Sequence, residues 1–109
     1  MTVNELSFID SVQILSMPSP DREISGFYVG DLLSWVMSKA SADNAWLTIM
    51  SNVNIVAVAA LTDVSLIILT EGVTLDDEVL SVAKSKGVNV FSSSLSTYEL
   101  SVKLYDLLK

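Results

Sequence analysis

The sequence predicts a single α/β domain in which a mostly parallel sheet carries helices on both faces, a three-layer α/β/α arrangement. Three observations support that expectation. Leu66-Ile-Ile-Leu69 is an apolar run without alternation, as expected of a strand covered on both sides. From Ala45 onward, strand-like and helix-like segments alternate, an order that right-handed crossovers turn into a parallel sheet. The 109 residues, 50% hydrophobic and 17% charged, suit one compact core over 1–109 and show neither a linker nor an internal repeat.

Val3, Leu6 and Ile9 have the spacing of a short amphipathic helix, and Val12-Gln-Ile-Leu15 reads as a strand that Pro18-Ser-Pro20 breaks. Asp21 to Tyr28 forms a polar loop running into a second strand. Gly30 then releases the chain into a helix near Asp31, an acidic residue suited to the positive end of the helix dipole. In that helix Leu32, Leu33, Val36, Met37 and Ala40 are predicted to share the buried face, opposite Ser34, Ser38 and Lys39. Trp35 lies off the stripe, either as a rim residue half covered by a loop or as an anchor for a partner subunit.

Ala45 to Met50 reads as a strand, and Ser51-Asn-Val-Asn54 offers several N-caps for the segment 55–61. That segment can be read two ways. Its Val and Ile content favours strand, whereas Ala57, Ala59 and Ala60 suit a helix lying close against a sheet. Thr74-Leu-Asp-Asp77 resembles a helix start, and Leu75, Val79, Val82 and Ala83 repeat at helical spacing until Gly87 supplies a stop. Val88 to Phe91 is the next strand. In the last helix Ser96 and Glu99 make a capping box with Leu95 and Leu100 as its staple, and Leu100, Leu104, Leu107 and Leu108 are the expected buried face.

The chain has no Cys and no His, which removes disulfides, zinc sites of the Cys/His type, thiolate nucleophiles and imidazole bases. Carboxylates, hydroxyls, five Lys and one Arg remain, and no two carboxylates have the spacing of a general acid and base pair. No cofactor is expected. A formal charge of −7 opposes nucleic acid binding, which needs clustered Lys and Arg. The longest apolar run, Ile55 to Leu61, is far shorter than the ~20 residues that span a bilayer, and the N-terminus lacks a signal layout, so a cytoplasmic protein is expected.

In a parallel sheet, ligands favour the carboxyl ends of strands, where loops enter helices. Ser51, Asn52 and Asn54 follow one predicted strand, Thr70, Glu71 and Gly72 another, and Ser92, Ser93, Ser94 and Ser96 a third. If those strands are parallel, the three junctions share one edge, with Arg22 as a nearby charged contact for a phosphate or ribose. The same residue types also cap helices and make turns for local reasons. No Walker A sequence and no GxGxxG fingerprint accompanies them. Lys84, Lys86, Lys103 and Lys109 fall late in predicted helices, and Asp76-Asp-Glu78 falls in a first turn, where each complements the dipole.

Asp21-Arg22, Gly26, Gly30-Asp-Leu-Leu-Ser34, Asn54-Ile-Val-Ala-Val-Ala59 and the Ser-Leu-Ser-Thr-Tyr-Glu99 helix start together resemble the DRTGG domain, over roughly residues 21–108. The resemblance implies an α/β fold like the HPr kinase N-terminal domain, helix over 55–61, a dimeric habit and a regulatory task near nucleotide or phosphate metabolism. Asp-Arg-Glu-Ile-Ser-Gly26 matches the motif behind the family name only in part. Ser51-Asn-Val-Asn54 lacks the His that similar members often carry before Asn-Ile-Val-Ala.

The leading expectation is a non-catalytic regulatory module, a homodimer that binds a small anionic ligand of nucleotide or phosphate type, a partner enzyme, or both. Its ligand-binding residues are expected among Asp21, Arg22, Gly26, Gly30, Ser51, Asn52 and Asn54, with Asp21 orienting Arg22. The chain carries no catalytic domain, so its output is expected to pass through a partner. The alternative is a structural interaction subunit that buries surplus apolar surface, including Trp35, between chains. An enzyme using Asp21 or Asp31 as base comes last, because no partner acid, metal cluster or nucleophile accompanies them.

Overall fold

The computed structural model describes residues 1–108. Its elements are α1 (Val3–Leu6), β1 (Val12–Ser16), β2 (Gly26–Val29), α2 (Leu33–Lys39), β3 (Asn44–Thr48), α3 (Asn54–Thr62), β4 (Leu66–Leu69), α4 (Asp77–Ser85), β5 (Val90–Ser93) and α5 (Thr97–Leu108). One five-stranded sheet has the order β1-β5-β4-β3-β2. β2, β3, β4 and β5 run parallel, and β1 returns antiparallel beside β5, placing Val12 opposite Ser93 and Gln13 opposite Ser92. The expected α/β class with a mostly parallel sheet is the observed one.

Side-chain alternation along the strands divides the core in two. Trp46, Ile67, Leu69 and Val90 face α2, α3 and α4, meeting Val36, Ile55, Ala59 and Ala83. Ala45, Leu47, Leu66, Ile68 and Phe91 face α1 and α5, meeting Val3, Leu6, Leu100 and Leu104. All four residues of β4 are buried, which is why its sequence is apolar without alternation. The segment 55–61 is helix and packs between α2 and α4 through Ile55, Val56, Val58 and Ala59, while Ala57 and Ala60, expected to lie close against the sheet, are exposed.

Local chemistry sets the element ends. Ser96 Oγ accepts from Glu99 N at 3.1 Å and Glu99 Oε1 accepts from Ser96 N at 3.1 Å, the predicted capping box. Thr2 and Glu5 make a second one around α1, at 3.1 and 2.8 Å. Gly87 ends α4 with φ +73. Asp76 stands at the N-cap of α4 without a side-chain cap bond, so Thr74 to Asp76 leads into a helix that begins at Asp77 without a side-chain cap.

Two predicted apolar faces are corrected. Leu32 is 61% and Met37 46% exposed, because α2 begins only at Leu33 and Leu32 is an extended cap residue off the helical stripe. Leu107 and Leu108 are each 48% exposed, because the last turn of α5 runs beyond the part that Leu100 and Leu104 anchor. The last strand also begins two residues later than predicted. Asn89 is spent on the loop before it, donating to Ser19 O and Ser65 O and accepting from Ser19 N.

Candidate functional site

The parallel strands place three polar junctions at one edge, and the N-terminal end of β1 joins them. The chain leaves β4 toward α4 on one face of the sheet and leaves β5 toward α5 on the other. Neighbouring strands whose exits diverge in this way open a crevice between their loops, the usual place for a ligand in an open sheet. Here a cavity of about 370 Å³ opens at the β5 and β1 end of that crevice. Its walls include Asp10, Gln13, Gly72, Thr74, Ser92 and Ser94.

The crevice is partly closed by the chain itself. Glu71 N donates to Leu95 O at 2.8 Å and Gly72 N to Ser93 O at 2.9 Å, tying the two loops together. Glu71, in the left-handed region at φ +61, turns its Oε2 onto Thr97 N at 3.0 Å. A carboxylate thus occupies the positive end of α5, where a phosphate would otherwise bind. Behind it Thr70 Oγ1 and Thr97 Oγ1 share a 2.6 Å hydrogen bond.

The residues singled out in the sequence separate into two groups. Gly30, Ser51, Asn52 and Asn54 lie along the carboxyl edge, beyond the ends of β2 and β3. Asp31 organises that region, its Oδ1 accepting from Thr48 Oγ1 at 2.8 Å and from Ile49 N at 2.9 Å. Asn52 Oδ1 accepts from Asn54 N at 2.9 Å, a local turn that starts α3. Asn54 also lines a groove of about 220 Å³ between α3 and α4, with Lys86 at its side and Val53, Val56 and Val82 in its walls.

Arg22 and Gly26 lie at the opposite edge. Arg22 Nη2 donates to Asp43 Oδ1 and to Asp63 O, both at 2.9 Å, and Nη1 stands 3.3 Å from Asp63 Oδ1. Asp43 and Asp63 precede β3 and β4, so the guanidinium ties two loops at the amino ends of the strands. The expected proximity of Arg22 to the polar junctions is therefore corrected, since Gly26 begins β2 and everything before it sits at the amino edge. Asp21 is exposed, and the carboxylates that orient Arg22 are Asp43 and Asp63. Trp35 is 58% exposed, with Lys39 Nζ 5.6 Å from its ring centroid.

The DRTGG domain family model matches residues 11–107. The chain belongs to the DRTGG domain family. The structural comparison finds the same α/β fold in part of a solved regulatory region. The chain is similar to the crystal structure of the CBS and DRTGG domains of the regulatory region of Clostridium perfringens pyrophosphatase, complexed with its activator diadenosine tetraphosphate. The TM-score is 0.66 at 18% identity, over 84% of this chain and 40% of that one. No curated protein matches the sequence. This DRTGG domain therefore spans well under half the length of the regulatory region it resembles.

The cavity residues of this DRTGG domain were only partly visible in the sequence. The serine run after β5 marked a polar junction, but Asp10 and Gln13 carried no signal, because only the antiparallel return of β1 brings them there. Among the described residues no group of three or more acidic side chains is placed to hold a metal, and no helix is long and apolar enough to cross a membrane.

Proposed function

We propose that this DRTGG domain is a non-catalytic regulatory module that works as a homodimer and responds to a nucleotide-type ligand, its output passing through a partner enzyme. The observation that carries this reading is the apolar surface of α5 and the edge strand β2. Tyr98, Val102 and Tyr105 repeat at i, i+4 and i+7 and are 78%, 43% and 66% exposed. The two tyrosines alone present roughly 300 Å² of surface. The stripe continues into a groove of about 160 Å³ lined by Phe27, Val29, Leu47, Leu104 and Leu108. An exposed apolar stripe continuous with an apolar groove supports an interaction surface there. A second copy related by a two-fold axis would cover it with the same residues from both sides, the common isologous arrangement.

The pyrophosphatase neighbour supports a regulatory task and a nucleotide ligand. Engagement of Asp31, Glu71 and Glu99 in loop and cap hydrogen bonds favours a structural role for these carboxylates over a catalytic one. Sedimentation velocity and a thermal-shift screen with adenine nucleotides and diadenosine polyphosphates test the reading. A dimer at micromolar concentration and a shift that grows with ligand concentration are expected. A monomer with no shift overturns the proposal, and a dimer with no shift leaves an interaction subunit without a ligand.

A further inference from the structure

Most hydroxyls along the carboxyl edge have local work. Thr48 is held by Asp31, Thr70 by Thr97, Ser93 accepts from Leu95 N, and Ser96 caps α5. The cavity between β1 and β5 is different. Gln13, Thr74, Ser92 and Ser94 line it, and none of their side chains hydrogen-bonds to any of the described residues. Ser92 is only 4% exposed, and in-register pairing with Gln13 puts both side chains on one face of the sheet. No side chain occupies the hydrogen-bonding positions of Ser92, and it borders the cavity, so its hydroxyl is available to whatever enters there. Gly72 leaves the space open, since a Cβ there would meet nothing within 4 Å.

The charges around the cavity select against a phosphate. Lys103, which meets the rim at Asp10 and Ser11, is committed to Asp10 Oδ1 at 2.7 Å and to Ser11 Oγ. Asp76, Asp77 and Glu78 at the start of α4 add negative charge close to Thr74. What remains is a set of hydroxyls, one carboxamide and a carboxylate acceptor at the rim, in a volume that suits a sugar ring. Such groups recognise neighbouring hydroxyls by exchanging donors and acceptors, as a carboxylate does with a ribose 2′-hydroxyl.

We propose that this cavity binds the vicinal diol of a ribose-type ring, through Gln13, Ser92, Thr74 and Ser94 with Asp10 at the rim, and that it does not bind phosphate. The inference rests on the reading of the domain as a nucleotide-responsive module and names the part of the ligand that the protein grips. The diol has two sources, a nucleoside or a free pentoside.

NMR chemical-shift titration of the intact protein with adenosine, 2′-deoxyadenosine, methyl riboside and inorganic pyrophosphate separates the outcomes. Shifts at Gln13, Gly72 and Ser92 with adenosine, much weaker with 2′-deoxyadenosine and absent with pyrophosphate, are expected. Equal response to methyl riboside assigns the site to a free pentoside. Ser92→Ala should weaken binding about fivefold to tenfold. Ser94→Phe, a change at the exposed mouth, should abolish it, with unliganded thermal unfolding as the control for folding. Adenosine and 2′-deoxyadenosine acting alike, or adenosine nucleotides and pyrophosphate binding where adenosine does not, overturns the diol assignment and leaves the nucleotide reading standing. Silence from every probe and from the nucleotides overturns both.

Discussion

Arg22 and Asp63 are joined twice, by a 2.9 Å hydrogen bond from the guanidinium to the Asp63 carbonyl and by a 3.3 Å contact to its carboxylate. Asp63 caps α3 in the left-handed region at φ +59, and Asp43, the other partner of Arg22, sits at φ +66. Asp and Asn tolerate that region better than most residues, and the arginine holds both in place. The side chain that a sequence reader would assign to a phosphate is thus a brace at the far end of the sheet.

Arg22→Ala should therefore act on stability and leave ligand response intact. The ion pairs are partly exposed and screened, so the expected loss is about 1 kcal/mol, chiefly from the bond to the backbone carbonyl. Urea denaturation measures it. A variant of unchanged stability that no longer responds to nucleotide would instead put Arg22 in a binding site.

Gly30 has a packing reason to be glycine. A Cβ there would lie 2.9 Å from Tyr28 Cε2, and the Gly30 carbonyl accepts from Trp46 Nε1 at 2.8 Å, so the backbone is held against the ring. Gly30→Ala should cost about 1–2 kcal/mol by forcing the tyrosine aside. Combined with Tyr28→Ala the two changes should cost less than their sum, since the second removes the clash. Additive losses in thermal denaturation would show that the close approach is not what Gly30 serves.

Assembly should depend on α5 more than on α2. Val102→Lys places a charge at the centre of the exposed stripe and should convert the proposed dimer to monomer in sedimentation, while Trp35→Ala leaves it unchanged. The reverse pattern would move the interface to the surface of Trp35, Leu32 and Met37.

Acid should weaken both capping boxes. Hydrogen bonds from the Ser96 backbone and hydroxyl hold the Glu99 carboxyl below its ordinary value of 4.5, and those from Thr2 do the same for Glu5. Lys103 lowers Asp10 from 3.8. Each group has a folded pKa below its unfolded one, so its stabilisation is complete above the ordinary carboxyl range and is lost as pH falls through the depressed value. Melting temperature should fall below about pH 4.5. Glu99→Gln, which keeps an acceptor without the titration, should flatten part of that decline. An identical pH profile in the variant would remove Glu99 from the account.

The sequence by itself determined the class of the fold, because local physics writes it directly. The unbroken apolar run of β4 demands two covered faces, and Ser96 with Glu99 specify a helix start without help from distant residues. It also marked the serine run after β5 as polar ground. Which polar residues meet was decided only by the tertiary structure. Gln13 reaches Ser92 because β1 returns antiparallel beside β5, and Arg22 is carried away from Asn54 because it precedes β2 and so falls at the amino edge. Hydroxyls that look alike in sequence are distinguished by what surrounds them after folding: Ser96 caps its own helix, Thr70 meets Thr97 on α5, and Ser92 lies beside an open cavity with no partner among the described residues. Outside such capping boxes, burial and pairing are properties of contacts between distant segments, and no single segment encodes them.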